Sequence, residues 1–350
     1  MSVHHHVEIS TLTPVLNEER HIRDTVVALQ AQDLAGETEF IFIDGRSTDR
    51  TRAILEELAG RDGRIGVLDN PARHTAAGLN IGLRAAHGEY VARIDAHARY
   101  PPSYLSRGVD RLRRGDVDWV SGPQVPVGTD AWSRRIALAL GTSFATGGSN
   151  RWRGDAAHHS GGEVDLETGV FAGVWRRATL ERHGGWDEGW PINQDSELAA
   201  RMLEDGRRIV SMPELAAEYA PRTSLRELSR QYRRYGMYRA KTAWRHPWTV
   251  RPRHVALPGL IFAAAAALAG PRPLRRAGRR VVGVYAVAVA GQSARTAVEP
   301  GDVIALPAVF VTMHGSWGAG FLLGLVVFAR PSRRRPGLAT DLTARAGDEQ

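Results

Sequence analysis

Val7-Glu8-Ile9-Ser10-Thr11-Leu12-Thr13-Pro14-Val15-Leu16-Asn17-Glu18-Glu19 is a β-branched apolar run that breaks abruptly into a polar turn. A helical pattern follows it, near Glu18–Gln32, and the alternation then repeats. Strands are expected at Val7–Thr13, Glu39–Ile43, Arg64–Leu68, Glu89–Ile94 and Asp118–Ser121. Further helices are expected near Thr48–Gly60, Thr75–Ala86 and Pro102–Arg114. Such alternation predicts an α/β, Rossmann-like fold with a mostly parallel sheet flanked by helices, and ligands outside the carboxyl ends of its strands. The polar motifs fall at those ends: Pro14–Glu19, Asp44–Asp49 and Asp95–His97.

The 350 residues suffice for one large or two modest domains, and their composition is that of a folded protein. A net charge of +8 is too mild to indicate a nucleic-acid partner. Its excess lies at Arg230–Arg239, Arg272–Arg280 and Arg330–Arg335, beside apolar segments, where anionic headgroups are the natural counter-charge. With no cysteine there are neither disulfides nor thiolate metal sites, which is compatible with a cytoplasmic face. No signal peptide is recognisable, and His4–His6 read as a solvated start. The stretch 145–165, rich in Gly, Ser, Arg and His, reads as a mobile loop over a ligand or as a plain surface insertion.

After Arg253 the character changes. Val255–Gly270, Val281–Ala294 and Val303–Ala329 carry no Asp, Glu, Lys or Arg. Only the third exceeds the ~20 residues that an untilted spanning helix requires. The positive-inside bias favours keeping the first on the cytoplasmic side, with the second crossing outward and the third returning. The expected organisation is a catalytic domain over 1–245, a membrane-associated helical region over 246–335 and a disordered tail over 336–350.

Sugar transfer from a nucleoside diphosphate requires a nucleoside site, a cation to offset the departing diphosphate, and a base for the acceptor hydroxyl. Candidates occur in order: Thr13–Glu19, Asp44-Gly45-Arg46-Ser47-Thr48-Asp49, Asp95-Ala96-His97, Gln194-Asp195-Ser196-Glu197 and Gln231-Tyr232-Arg233-Arg234-Tyr235. Together these motifs resemble the family 2 glycosyltransferases of GT-A fold. Within that family the chain resembles the ExoA-type succinoglycan glucosyltransferases, through Arg93–Pro101 and Met313–Gly320.

The resemblance, covering about residues 7–330, implies roles by position. Pro14, Asn17 and Glu18 lie beside the nucleoside. Asp44 sits near uracil and ribose, with Gly45 where the family's second acid stands; Arg73 and Asn80 contact the donor. Asp95 and His97 occupy the divalent-metal motif (Mn²⁺ or Mg²⁺), the imidazole favouring Mn²⁺ of the two. Asp195 matches the catalytic base, the alternative being a helix N-cap; Gln194 replaces the preceding Glu, leaving Glu197 as the nearest supporting carboxylate. Asp49 is read as capping the following helix. Gln231 and Arg234 resemble the Gln-x-x-Arg-Trp motif that meets acceptor or diphosphate, the alternative being a basic amphipathic helix on the membrane.

The expected activity is inverting transfer of glucose from a UDP-linked donor to a lipid-linked saccharide, at the cytoplasmic face of a cell inner or plasma membrane. Two alternatives stand beside it, a processive polysaccharide synthase and a non-catalytic nucleotide-sugar-binding scaffold. Burial of long apolar segments is little affected by salt, whereas headgroup attraction is screened. The chain is therefore expected to stay with membranes through high salt and alkaline carbonate and to need detergent for release, read by sedimentation; recovery in the soluble fraction overturns this.

Overall fold

The computed structural model describes residues 7–152, 162–167 and 170–329. His4–His6, the centre of the 145–165 stretch and the 336–350 tail lie outside them. The chain forms two compact units. The first holds the described residues up to 125 and those from 162 to 219; the second holds 126–152 and 220–329.

The first unit begins with β1 (Val7–Val15), α1 (Ile22–Gln30), β2 (Glu37–Asp44), α2 (Thr51–Ala59), β3 (Ile65–Asp69), α3 (Thr75–Ala85), β4 (Tyr90–Arg93), β5 (Ala98–Arg99) and α4 (Tyr104–Arg113). Then come β6 (Trp119–Ser121) and β7 (Gln124–Pro126). The segments α5 (Ala131–Leu140) and α6 (Ser143–Thr146) belong to the second unit. The chain returns through β8 (Val164–Asp165), β9 (Gly173–Arg176), α7 (Arg177–Arg182), α8 (Gln194–Glu204), β10 (Ile209–Ser211) and β11 (Ala217–Tyr219). All five expected strands and four expected helices are present, with ends displaced by a few residues. The largest displacement is at α1, because Glu18 C=O accepts from His21 N–H and Ile22 N–H and closes a turn before the helix starts.

Eight strands pair in the order β3-β2-β1-β4-β9-β6-β10-β8, and β5-β11-β7 form a small second sheet. The neighbours β3, β2, β1 and β4 are parallel, whereas β9 runs antiparallel to both β4 and β6. Because β1 has β2 on one side and β4 on the other, successive crossovers diverge and leave a crevice at the carboxyl ends. Period-two alternation covers both faces. Ile9, Phe40, Phe42 and Ala92 join one core with α1, α2 and α4; Leu12, Ile41, Ile43 and Val91 join the other with α3 and α8. At Gly173, φ is +136° and a Cβ would lie 2.3 Å from the Trp119 indole nitrogen, so glycine alone fits where β9 enters between its neighbours.

The second unit adds α9 (Leu225–Arg245), α10 (Pro252–Ala269), α11 (Arg272–Thr296) and α12 (Pro300–Val327). The boundary between the two compact units lies at 219–220, and 126–152 belongs to the second. The reason lies in packing: α9 and α12 run side by side, with Ser229 and Ser316 hydroxyls 2.8 Å apart. A Cβ on Gly236 would lie 2.1 Å from Trp317 C=O, and one on Gly320 would lie 2.0 Å from Arg233 C=O. By length and apolarity, α10 and α12 are the candidate membrane helices among the described residues. That differs from the expected pair, the second and third segments, because the first turns of α11 carry Arg272, Arg275, Arg276, Arg279 and Arg280.

Gly320→Leu is expected to lose at least ~1–3 kcal/mol of stability through overpacking. Gly283→Ala, with nothing within 4 Å of its added methyl, should be neutral or gain up to ~1 kcal/mol of helix propensity. Thermal unfolding in detergent distinguishes the two; equal midpoints would refute the close α9–α12 contact.

Candidate functional site

The polar loops meet at the carboxyl edge of the parallel strands and hold one another. Asn17, at φ +58°, accepts from Thr48 N–H at 2.8 Å through its side-chain oxygen and donates its own N–H to Ser47 Oγ at 2.9 Å. The Asp44 carboxylate, 2% exposed, accepts from the Ser47 hydroxyl at 2.6 Å and from Ser47 N–H. Gly45 N–H donates to Val15 C=O at 2.8 Å, and a Cβ there would meet that oxygen at 3.2 Å. The second acid of the usual motif would therefore crowd the β1 backbone. Asp49 accepts from Thr51 N–H at 3.0 Å and from Glu19 N–H, so it satisfies the first amide of α2 from just before the N-cap, Arg50, and joins two loops.

Asp95 and His97 follow β4. Thr25 Oγ donates to Ala96 C=O at 2.7 Å, and Asp95 N–H donates to the Tyr100 hydroxyl at 2.9 Å. Burial, and then the charge of Asp95, push the Tyr100 phenol well above its usual range and keep it neutral. The half-exposed His97 ring donates Nδ1–H to Glu18 Oε1 at 3.3 Å, since an ionised carboxylate only accepts. The loop after β1 and the loop after β4 are thereby joined through two predicted site residues. A carboxylate on Nδ1 fixes the tautomer that presents the Nε2 lone pair, the arrangement found behind metal-ligating histidines. Among the described residues no three Asp, Glu or His side chains gather as a cation cage. The pair Asp95 and His97 suits a cation whose remaining ligands are phosphate oxygens and water.

Asp195 is the second residue of α8, after Asn193 at φ +60°. It makes no N-cap bond of the kind the alternative reading requires. Its carboxylate instead takes both oxygens to Arg93 Nη1, at 2.7 and 2.6 Å, and accepts from Trp186 Nε1 at 3.2 Å. Arg93 also bonds Asp95 at 2.9 Å. Burial alone would weaken the guanidinium's hold on its proton; the Asp195 and Asp95 charges outweigh this and hold it far above its usual value. Arg93 joins the metal motif to the expected base, and sequence reasoning missed it. The available signal was a cation in an otherwise uncharged buried strand, Tyr90-Val91-Ala92-Arg93.

Two of the residues singled out in the sequence have partners within the chain. Asn80 is buried and its amide is engaged: Oδ1 accepts from Trp186 N–H at 2.9 Å, and Nδ2 donates to Trp186 C=O and Glu188. It positions the Trp186 loop. Glu197, expected to support Asp195, pairs with Arg201 at 2.8 Å; two positions apart on a helix, it points away from Asp195. Pro14, next to last in β1, lies opposite Ile43, and Arg73, exposed at φ +62°, leads into α3 on the same edge as Asp44. Gln231 and Arg234 lie on α9 in the second unit, where Gln231 Nε2 donates to the Tyr235 hydroxyl at 3.0 Å.

Residues 10–181 match the family model for glycosyl transferase family 2. The chain is 32% identical over 325 residues to the succinoglycan biosynthesis protein ExoA of Rhizobium meliloti (strain 1021), covering 91% of this chain and 94% of that protein. It is 29% identical over 140 residues to an undecaprenyl-phosphate 4-deoxy-4-formamido-L-arabinose transferase of Pseudomonas aeruginosa (strain LESB58), covering 38% of this chain and 41% of that protein. Among solved structures it resembles the mannosyltransferase PcManGT from Pyrobaculum calidifontis, in complex with GDP-Man and Mn²⁺. The TM-score is 0.59 at 21% identity, covering 91% of this chain and 87% of that one, which supports the GT-A fold. With these motifs on the strand edge and a relative of this identity along nearly its whole length, the chain belongs to the family 2 glycosyltransferases.

Proposed function

We propose that this glycosyltransferase moves glucose, with inversion, from a UDP-linked donor to a hydroxyl of a lipid-linked saccharide in exopolysaccharide or cell-surface glycan synthesis. The observation that carries the reading is the Asp95–Arg93–Asp195 chain, which ties the expected cation ligand to the expected base at one strand edge. The exopolysaccharide setting is supported by the name of the ExoA relative and a lipid-linked acceptor by that of the undecaprenyl-phosphate transferase; glucose rests on the resemblance to the succinoglycan enzymes alone. Asp44 and the Asn17 loop receive the nucleoside. Asp95 and His97 would hold the divalent cation that offsets the charge of the diphosphate. Such an ion supplies Lewis-acid stabilisation of the charge that develops on the leaving group.

Asp195 takes the proton of the acceptor hydroxyl as its oxygen bonds to the anomeric carbon. The bond from that carbon to the diphosphate breaks, and UDP leaves with the electron pair. One in-line displacement inverts the centre. Arg93 holds the Asp195 carboxylate against Trp186, so the base is oriented before substrate arrives.

Asp195→Asn is expected to bind UDP-glucose with unchanged affinity and to lower kcat by about 10²–10⁴-fold, the usual cost of losing a positioned base. Unaltered turnover would remove Asp195 from the chemistry. EDTA should abolish transfer and added Mn²⁺ should restore it better than Mg²⁺; full activity in EDTA would overturn the cation assignment to Asp95 and His97. Membranes supplied with a panel of radiolabelled nucleotide sugars, followed by analysis of the lipid extract, test the donor and acceptor together.

A further inference from the structure

Among the long helices of the second unit, α9 is strongly basic, α10 and α12 are apolar, and α11 is basic in its first turns and apolar beyond them. Helix α9 carries Arg226, Arg230, Arg233, Arg234, Arg239, Lys241 and Arg245. Placing even one such cation at the centre of a bilayer is costly, and α9 would carry seven, so it does not cross. It starts six residues after β11 and lies on the side of the membrane that holds the sheet.

Helix α12 is bound to that side at both ends. Its C-terminal half runs along α9: Ser316 lies against Ser229, Gly320 against Arg233 and Gly324 against Met237. At its N-terminal end Asp302, fully buried, is held by Arg134 at 3.0 Å and Arg135 at 3.0 Å, both on α5. Strand β7, from which α5 grows, neighbours β11 in the small sheet. Arg134 follows Pro126 by eight residues, a reach of at most about 28 Å even if fully extended. The hydrocarbon core alone is ~30 Å thick, and about 40–45 Å with its headgroups. Arg134, and with it Asp302, therefore stays on the near side. Both ends of a helix about 42 Å long are then on one face of the membrane, and such a helix lies along that face.

Its surface agrees. Ile304 (83% exposed), Ala308, Val311, Ala319, Leu323 and Val326 (77% exposed) fall at steps of three, four or eight residues and form one uncovered apolar stripe along the helix. Phe262 and Leu268 on α10, and Val284 and Val287 on α11, are likewise uncovered. Were the α10–α11 hairpin to cross, its turn would deliver Arg272, Arg275, Arg276, Arg279 and Arg280 to the far side, against the positive-inside bias.

We propose that the helical unit is monotopic: α12 lies in the plane of the interface, α10 and α11 enter only the near leaflet, and no residue from Pro252 to Ala329 reaches the far side. The occupant of the apolar stripe is one leaflet of a bilayer with anionic headgroups, matched to the exposed Arg226, Arg230, Arg233 and Arg234. This rests on the membrane attachment expected from the sequence and on the lipid-linked acceptor of the proposed function, and replaces the two crossings expected from the sequence.

The cysteine-free chain permits a direct test. Single variants Ala269→Cys (α10–α11 turn), Val298→Cys (α11–α12 turn) and Arg20→Cys (catalytic unit) are treated with an impermeant maleimide in intact cells, in inverted vesicles and after detergent. A variant is scored only if it reacts in detergent; Ala297→Cys replaces Val298→Cys if needed. The turn cysteines are expected to react on the side where Arg20→Cys reacts, or only after detergent. Reaction of either turn from the opposite side overturns the monotopic arrangement and leaves the transferase reading intact. A chain that never sediments with membranes overturns the attachment itself.

Discussion

A buried guanidinium between two carboxylates organises the catalytic unit. Arg93 ends β4 with its side chain out of water, which a cation tolerates only against opposite charge with its donors satisfied. Asp95 and Asp195 supply both, and removing one member of such a buried group costs about 3–5 kcal/mol because a charge is left unpaired. The consequences spread outward. Asp195 on Arg93 fixes the first turn of α8 and receives the Trp186 indole, and Trp186 is held by Asn80 from α3. Elements more than a hundred residues apart in the chain thus share one charge balance.

The same edge concentrates backbone strain. Asn17, Arg46, Arg73 and Asn193 all have φ near +60°, and each stands in a loop or helix entry at the site. Non-glycine residues adopt this conformation at a cost of order 1 kcal/mol or more and keep it only when surrounding bonds over-determine it. At Asn17 and Arg46 that constraint comes from the reciprocal bonds between Asn17, Ser47 and Thr48, from the bond that Glu19 N–H donates to Asp49, and from the bond that Arg50 N–H donates to Glu19. The loops are shaped before a ligand arrives, which lowers the ordering cost of binding.

In the second unit, small residues do what charge does in the first. Gly236, Gly320 and Gly324 let α9 and α12 approach until their backbones nearly touch, so a helix rich in arginine and an apolar helix pack lengthwise. Ion pairs from Arg134 and Arg135 to Asp302 secure the other end. An apolar helix held in this way cannot be treated as an isolated segment whose length decides whether it spans.

Period-two apolar runs ending in polar turns made the sheet readable, because strand alternation and turn chemistry are local and leave their mark on consecutive residues. Asp44, Asp95, His97 and Asp195 were singled out as candidates for a related reason: each stands in a short motif of the family. The Gly236–Gly320 contact was not readable, nor was the role of Arg93, the engagement of Asn80 with Trp186 or the pairing of Glu197 with Arg201. Each depends on a partner brought near by folding or on the direction of a side chain from its helix. Apolar length alone pointed to membrane crossings; the ion pairs and glycine contacts that fasten α12 at both ends were not legible in it, because they join residues that only folding brings together.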